Sequence, residues 1–98
     1  MGGKAVSVIS LVDAKGFIDV IHNSDDGKLQ NLLDAAEDEA ARFLNVESLE
    51  EWTELPFSIF IAVLLLLQAN YQASPDDMPK LRSAAEGKLM PYRIEMGV

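Results

Sequence analysis

Apolar residues recur at helical spacing along most of the chain. The clearest case covers residues 26–45, where the intervals between apolar positions are alternately four and three. Such intervals place one apolar stripe along one side of an amphipathic helix. The stripe consists of Leu29, Leu33, Ala36, Ala40 and Phe43. This pattern predicts a helix of about five turns, which is the second of four along the chain.

The first predicted helix covers residues 11–21. Ser10 precedes it as an N-cap, and Asp13 follows three residues later as an aspartate version of the capping box. Gly16 lies inside this helix and weakens it by about 1 kcal/mol relative to alanine. A second capping pair predicts a short helical turn over residues 49–53.

Prolines mark the bounds of the last two predicted helices. Pro56 opens a third helix over residues 56–73, because the N–H that proline lacks has no partner in a first turn. Pro79 opens a fourth helix over residues 79–89, and Pro91 ends it.

These elements predict an all-α fold in a single domain, residues 1–98. The domain is a small bundle of about four helices over residues 10–90. Residues 1–9 are expected to form an extended N-terminal arm, and residues 91–98 an extended C-terminal tail.

The third predicted helix is apolar on every side. Its apolar run covers residues 57–67, which is too short for the ~20 residues of a membrane span, so we expect a buried helix and no membrane partner. It is either the central helix of a monomeric bundle or a helix with one face covered by another subunit. We favour the second interpretation, because exposed apolar patches usually mark interfaces. The candidate interface residues on this helix are Phe60, Ile61, Leu64 and Leu65.

The predicted tail adds two further interface candidates, Tyr92 and Arg93. Tyrosine and arginine are enriched among the residues that anchor protein interfaces. The alternative is that Tyr92 packs back on its own bundle while Arg93 is solvated.

Charge and cysteine content exclude several classes of function. The chain of 98 residues has 16 acidic and 8 basic residues and no cysteine, and its net charge is −8. Residues 25–54 hold ten acids against two bases, so the excess is concentrated there. This balance disfavours nucleic-acid binding and anionic membranes, which both need clustered lysine and arginine. Without cysteine there are no disulfides, thiolate nucleophiles or cysteine zinc sites.

The acidic residues of the second helix are interpreted as a solvated face. They are Asp34, Glu37, Asp38 and Glu39. Acid–base chemistry would need burial or a close partner to separate two carboxyl pKa values, and a polar helix face offers neither.

The remaining sequence carries no pattern that predicts a catalytic, cofactor-binding or metal-binding residue. His22 has no second histidine or cysteine to share a metal. The Asp25–Gly27 run fails as a calcium loop, because Leu33 stands six residues after the glycine, where such a loop has glutamate. We therefore predict no cofactor and no enzymatic activity.

The order of these features resembles the small head–tail connector (adaptor) proteins of long-tailed bacteriophages and prophages. Residues 9–15, ISLVDAK, resemble their opening I-S/T-L-x-E/D-A-K motif. Residues 25–36 resemble D-D-x-x-I-x-x-L-I-x-A-A, and residues 55–71 resemble their L-P-x-x-I-x-x-A-V-L-L-L helix with a later tyrosine. Residues 89–93, LMPYR, resemble their closing L-L-x-P-Y-R.

The resemblance implies a structural virion protein at the head–tail junction, present in the bacterial host cytoplasm during assembly. Its implied form is a homo-oligomeric ring between the portal and a downstream connector or tail protein. That ring extends a channel through which duplex DNA passes without specific binding. The acidic face of the second helix would then either line the channel and repel phosphate or serve solubility on the outer surface.

A function of another class stays open from the sequence. The chain could be a small acidic helical regulatory or antitoxin-like module that binds a basic protein partner. A stable dimer that takes up such a partner would favour this alternative, and a ring formed on a portal would favour the connector.

Overall fold

The computed structural model describes residues 8–94, which form an all-helical bundle and thereby confirm the predicted fold class. Residues 1–7 of the predicted arm and 95–98 of the predicted tail lie outside the described residues. The α-helices are α1 (Leu11–Phe17), α2 (Asp26–Leu44), α3 (Phe57–Tyr71) and α4 (Met78–Leu89), and two 3₁₀ turns cover Leu49–Glu51 and Met90–Tyr92.

Helix α2 ends where the sequence predicts, to within one residue. Asn45 follows it with a φ of 65°, a left-handed conformation that asparagine tolerates better than most residues. The N–H of Val46 then donates to the carbonyl of Ala41 at 3.0 Å and satisfies one of the last helical carbonyls.

Helix α1 is shorter than predicted. The Ser10 hydroxyl caps its start and accepts from the N–H of Asp13 at 3.1 Å, as the sequence indicates. Its end differs, because Asp19 adopts a φ of 62° and turns the chain away from the helix axis. Ile21, the last residue of the predicted helix, is instead 94% exposed in the connection to α2.

Helices α3 and α4 form an antiparallel hairpin joined by residues 72–77. Helix α3 makes its most extensive contacts with α4 and the next most extensive with α2. The bulky core side chains come from every helix except α1 and from the first 3₁₀ turn. They are Leu29, Leu33, Leu44, Leu49, Ile59, Val63, Leu64, Leu66, Leu67 and Leu89.

Candidate assembly surfaces

The first turns of α3 present an apolar edge to solvent. Phe57 is 73% exposed, and Phe60 and Ile61 are half-buried. The rings of Phe57 and Phe60 stack with their centroids 5.8 Å apart. We call these three residues the apolar edge of α3. The sequence reasoning missed Phe57, although its spacing of three and four from Phe60 and Ile61 places it on the same helix face.

The rest of α3 is covered by its own chain more completely than we expected. Leu64 is fully buried in the core, so its assignment to a subunit interface is corrected: no surface of the side chain is left to contact a partner. Leu65 is half-buried and packs against the core. The helix is therefore central to the bundle, and Phe57 is its one exposed residue.

The predicted tail folds back onto the end of α2. Tyr92 lies in the second 3₁₀ turn and packs against the core, so this part of the tail is not extended. The Nε of Arg93 donates to the carbonyl of Phe43 at 2.9 Å, and its guanidinium lies 5.3 Å from the Phe43 ring. The N–H of Ile94 donates to the carbonyl of Leu44 at 2.9 Å.

These contacts give Tyr92 and Arg93 a role within their own subunit. Carbonyls in the last turn of a helix lack helical partners, and residues 93–94 supply donors to two of them. The alternative considered for Tyr92, packing on its own bundle, is the arrangement found. Arg93 remains exposed, but its guanidinium is engaged rather than only solvated.

Glu37 does not lie on the solvated face of α2. Its residue surface is 3% exposed, and the two carboxylate oxygens accept from the N–H of Val8 at 3.0 Å and of Ile9 at 2.8 Å. Both donors belong to the segment that enters α1. The placement of Glu37 on an exposed acidic face is therefore wrong. Its position four residues after Leu33 and three before Ala40, on the apolar stripe, was the signal for burial.

The other three candidate acids of α2 are accessible and have partners within the chain. Asp34 is half-buried and accepts from the side chain of Gln30 at 3.1 Å. Asp38 and Arg42 form an exposed ion pair at 2.9 Å. Glu39 pairs with Arg82, which also donates to Asn70 at 2.9 Å. Arg82 thereby links α2, α3 and α4, and the negative charge of the α2 surface is partly neutralised.

A polar cluster at the opposite end of the bundle joins α3 to the start of α2. The Tyr71 hydroxyl donates to Asp25 at 2.8 Å, and the Lys28 ammonium lies 5.9 Å from the Tyr71 ring. The pKa of Tyr71 is raised above its usual value of 10.0, first by this hydrogen bond and then by burial and the negative charge of Asp25. Lys15 of α1 reaches the same region and pairs with Asp26 at 2.6 Å.

The cluster explains several of the motif positions noted in the sequence. Lys15, Asp25, Asp26 and Tyr71 come from three separate motifs and meet here as pairs that hold three helices together. These residues serve packing and orientation of the bundle, and nothing in their geometry sets up a nucleophile with a base.

Other kinds of site find little support in the described part of the chain. Residues 8–94 contain no group of three or more His, Asp or Glu side chains that could hold a metal ion. An open depression of about 560 Å³ lies at the α3–α4 connection, with Asp77 and Lys80 as its charged lining residues. The helices within residues 8–94 include none with the length and hydropathy of a membrane span.

Comparison with known proteins identifies the family. A family model described as Phage gp6-like head-tail connector protein matches residues 8–87. The matched range includes all four α-helices except the last two residues of α4. No curated protein and no solved structure matches the chain.

Proposed function

We propose that this chain, which belongs to the phage gp6-like head–tail connector family, is one subunit of a ring between the portal and the tail. Family membership supports a structural role in the virion and contact with phage head or tail proteins. The ring, its seat on the portal and its extension of the DNA channel are our proposal. The family match over most of the bundle is the observation that carries it.

The apolar edge of α3 supports self-assembly. Phe57 is 73% exposed beside two further apolar side chains, and contiguous apolar side chains at a surface mark interaction sites more often than single ones do. In our proposal Phe57, Phe60 and Ile61 contact the next subunit, with Leu65 at the margin. Tyr92 and Arg93 contribute indirectly, because they hold the end of α2 in place at the same end of the bundle as that edge.

Reconstitution with the portal protein of the same phage or prophage tests the ring. The full chain is mixed with purified portal rings and examined by sedimentation and electron microscopy. We expect a second ring stacked on each portal, even if the free chain sediments as a monomer. Ile61→Asp should remove this ring and leave the helical content unchanged. Failure of the unmodified chain to bind portal, or binding without a ring, would contradict the proposal.

The accessible acids of α2 are proposed to line the channel. Asp34, Asp38 and Glu39 would present negative charge to the DNA phosphates and keep the duplex from adhering to the wall. Arg42 and Arg82 offset part of this charge, so the repulsion is weaker than the sequence alone indicates.

Neutralising Asp34 and Asp38 should slow DNA passage without changing the fold. Glu39 is left intact because it pairs with Arg82. The fold should be unchanged, because substitutions at surface positions usually change stability by less than ~0.5 kcal/mol. Virions carrying Asp34→Asn and Asp38→Asn should eject DNA more slowly, and the difference should shrink at high salt because the Debye length falls from ~10 Å at 0.1 M to ~3 Å at 1 M.

The matched control is Asp76→Asn with Asp77→Asn. It removes the same charge from the α3–α4 connection, at the other end of the α3–α4 hairpin from the apolar edge. Equal ejection rates for both double variants at low salt would show that the α2 acids serve the outer surface instead.

A further inference from the structure

The segment that leads into the apolar edge of α3 is acidic. Glu47, Glu50, Glu51 and Glu54 lie in the connection that leads into α3, and all four are exposed. Glu51 accepts a hydrogen bond from the N–H of Glu47, but within residues 8–94 none of the four forms an ion pair with a lysine or arginine. The apolar edge is therefore preceded in the chain by an uncompensated acidic segment, which we call the acidic rim, and a complementary surface combines a flat centre with positive charge.

One exposed side of α4 has these properties. Ala85 and Leu89 are buried, and the side of the helix about 100° round from Ala85 faces solvent. Lys80, Ala84 and Lys88 follow one another there at intervals of four residues, and all are exposed. Gly87 beside them has open space where a side chain would begin. We call this the basic face of α4.

The basic face is uncompensated in the same way as the acidic rim. Neither Lys80 nor Lys88 forms an ion pair within residues 8–94, although Lys88 lies at the end of the bundle where α3 begins.

We infer that the apolar edge of α3 in one subunit docks onto the basic face of α4 in the next. Phe57 contacts the flat centre at Ala84 and Gly87, while the glutamates meet Lys80 and Lys88. The inference rests on the proposed ring and names the two surfaces that form its subunit contact.

In the proposed contact, the apolar side chains supply affinity and the charged side chains supply orientation. Burial of Phe57 and its neighbours supplies most of the stabilisation, because exposed ion pairs contribute little. The charges set the register and speed association. Since the two surfaces differ, each subunit offers a free surface of each kind, and the contact repeats head to tail until a ring closes.

Engineered cysteines test the juxtaposition directly, because the chain has none of its own. Thr53→Cys and Ser83→Cys are made in separate full-length chains, both at exposed positions beside the two surfaces. The chains are mixed on portal rings and oxidised. We expect disulfide-linked dimers of unlike chains at least about tenfold above a control that pairs Thr53→Cys with Asn31→Cys, an exposed position on α2.

Charge exchange provides the second arm of the test. Lys80→Glu with Lys88→Glu should reduce ring formation at least about tenfold, as should Glu50→Lys with Glu54→Lys, and a chain carrying all four changes should recover it. Asp13→Lys is the control, because it reverses an exposed acid on α1, a helix that carries neither surface. Rings of the unmodified chain without preferential cross-linking, or without loss on charge reversal, would overturn this contact and leave the proposed ring standing. Absence of rings from the unmodified chain would overturn both.

Discussion

Leu64→Asp is expected to unfold the protein. The side chain is fully buried between α3 and its neighbours, and an unpaired carboxylate there costs several kcal/mol in addition to the lost packing. A domain of this kind has a total free energy of unfolding of ~5–15 kcal/mol, so one such substitution removes most of its stability. Circular dichroism should show loss of helix at 25 °C or a melting temperature lowered by tens of degrees.

Ile61→Asp is the matched variant, one helical turn earlier on the same helix. Ile61 is half-buried on the apolar edge, so its carboxylate can reach water and the bundle should stay folded. Size-exclusion chromatography and circular dichroism of the two variants together separate a core position from an assembly position. A folded Leu64→Asp chain would contradict the arrangement of α3 described above.

Glu37→Ala is expected to lower the free energy of unfolding by about 3 kcal/mol, because each hydrogen bond to a charged group contributes ~1.5–3 kcal/mol. The change removes the acceptor from the N–H groups of Val8 and Ile9, and the Ile9 bond is buried. Hydrogen exchange at these two amides should accelerate even under conditions where α2 to α4 remain protected. Urea denaturation measures the loss of stability.

Asp38→Ala tests whether this effect belongs to the two Glu37 hydrogen bonds or to acidic residues of α2 in general. Asp38 is the next residue, and its ion pair with Arg42 is exposed, so the loss should stay below ~1 kcal/mol. Glu37→Gln keeps one acceptor oxygen and should fall between the two. Equal losses for Glu37→Ala and Asp38→Ala would show that the Glu37 hydrogen bonds contribute no more stability than one exposed ion pair.

Local sequence signals determined where most helices lie. The Ser10 cap, the four-and-three spacing of α2 and the proline before α3 depend on neighbouring residues in the chain, and each predicts the observed helix start or span. The end of α1 shows the limit of such signals. Aspartate in a left-handed conformation is uncommon, so the residues around Asp19 did not predict the turn that leaves Ile21 in solvent.

The family resemblance could also be recognised from the sequence, because the order of the motifs along the chain can be compared without knowledge of the fold. The family match over residues 8–87 confirms it. The contacts that the motif residues make could not be predicted from the sequence. The hydrogen bond between Tyr71 and Asp25 joins positions 46 residues apart, and a pattern along one helix carries no information about such a partner.

Only the tertiary structure decided which apolar and acidic side chains remain available for assembly. Helical spacing showed that α3 is apolar all round, but the covered sides depend on how α2 and α4 pack against it, which leaves Leu64 inside and Phe57 outside. Charge pattern grouped Glu37 with Asp34, Asp38 and Glu39, but its surroundings depend on the N-terminal segment that crosses α2. The physical reason is the same in both cases: helix formation follows from near neighbours in sequence, whereas burial follows from contacts between segments that are distant in it.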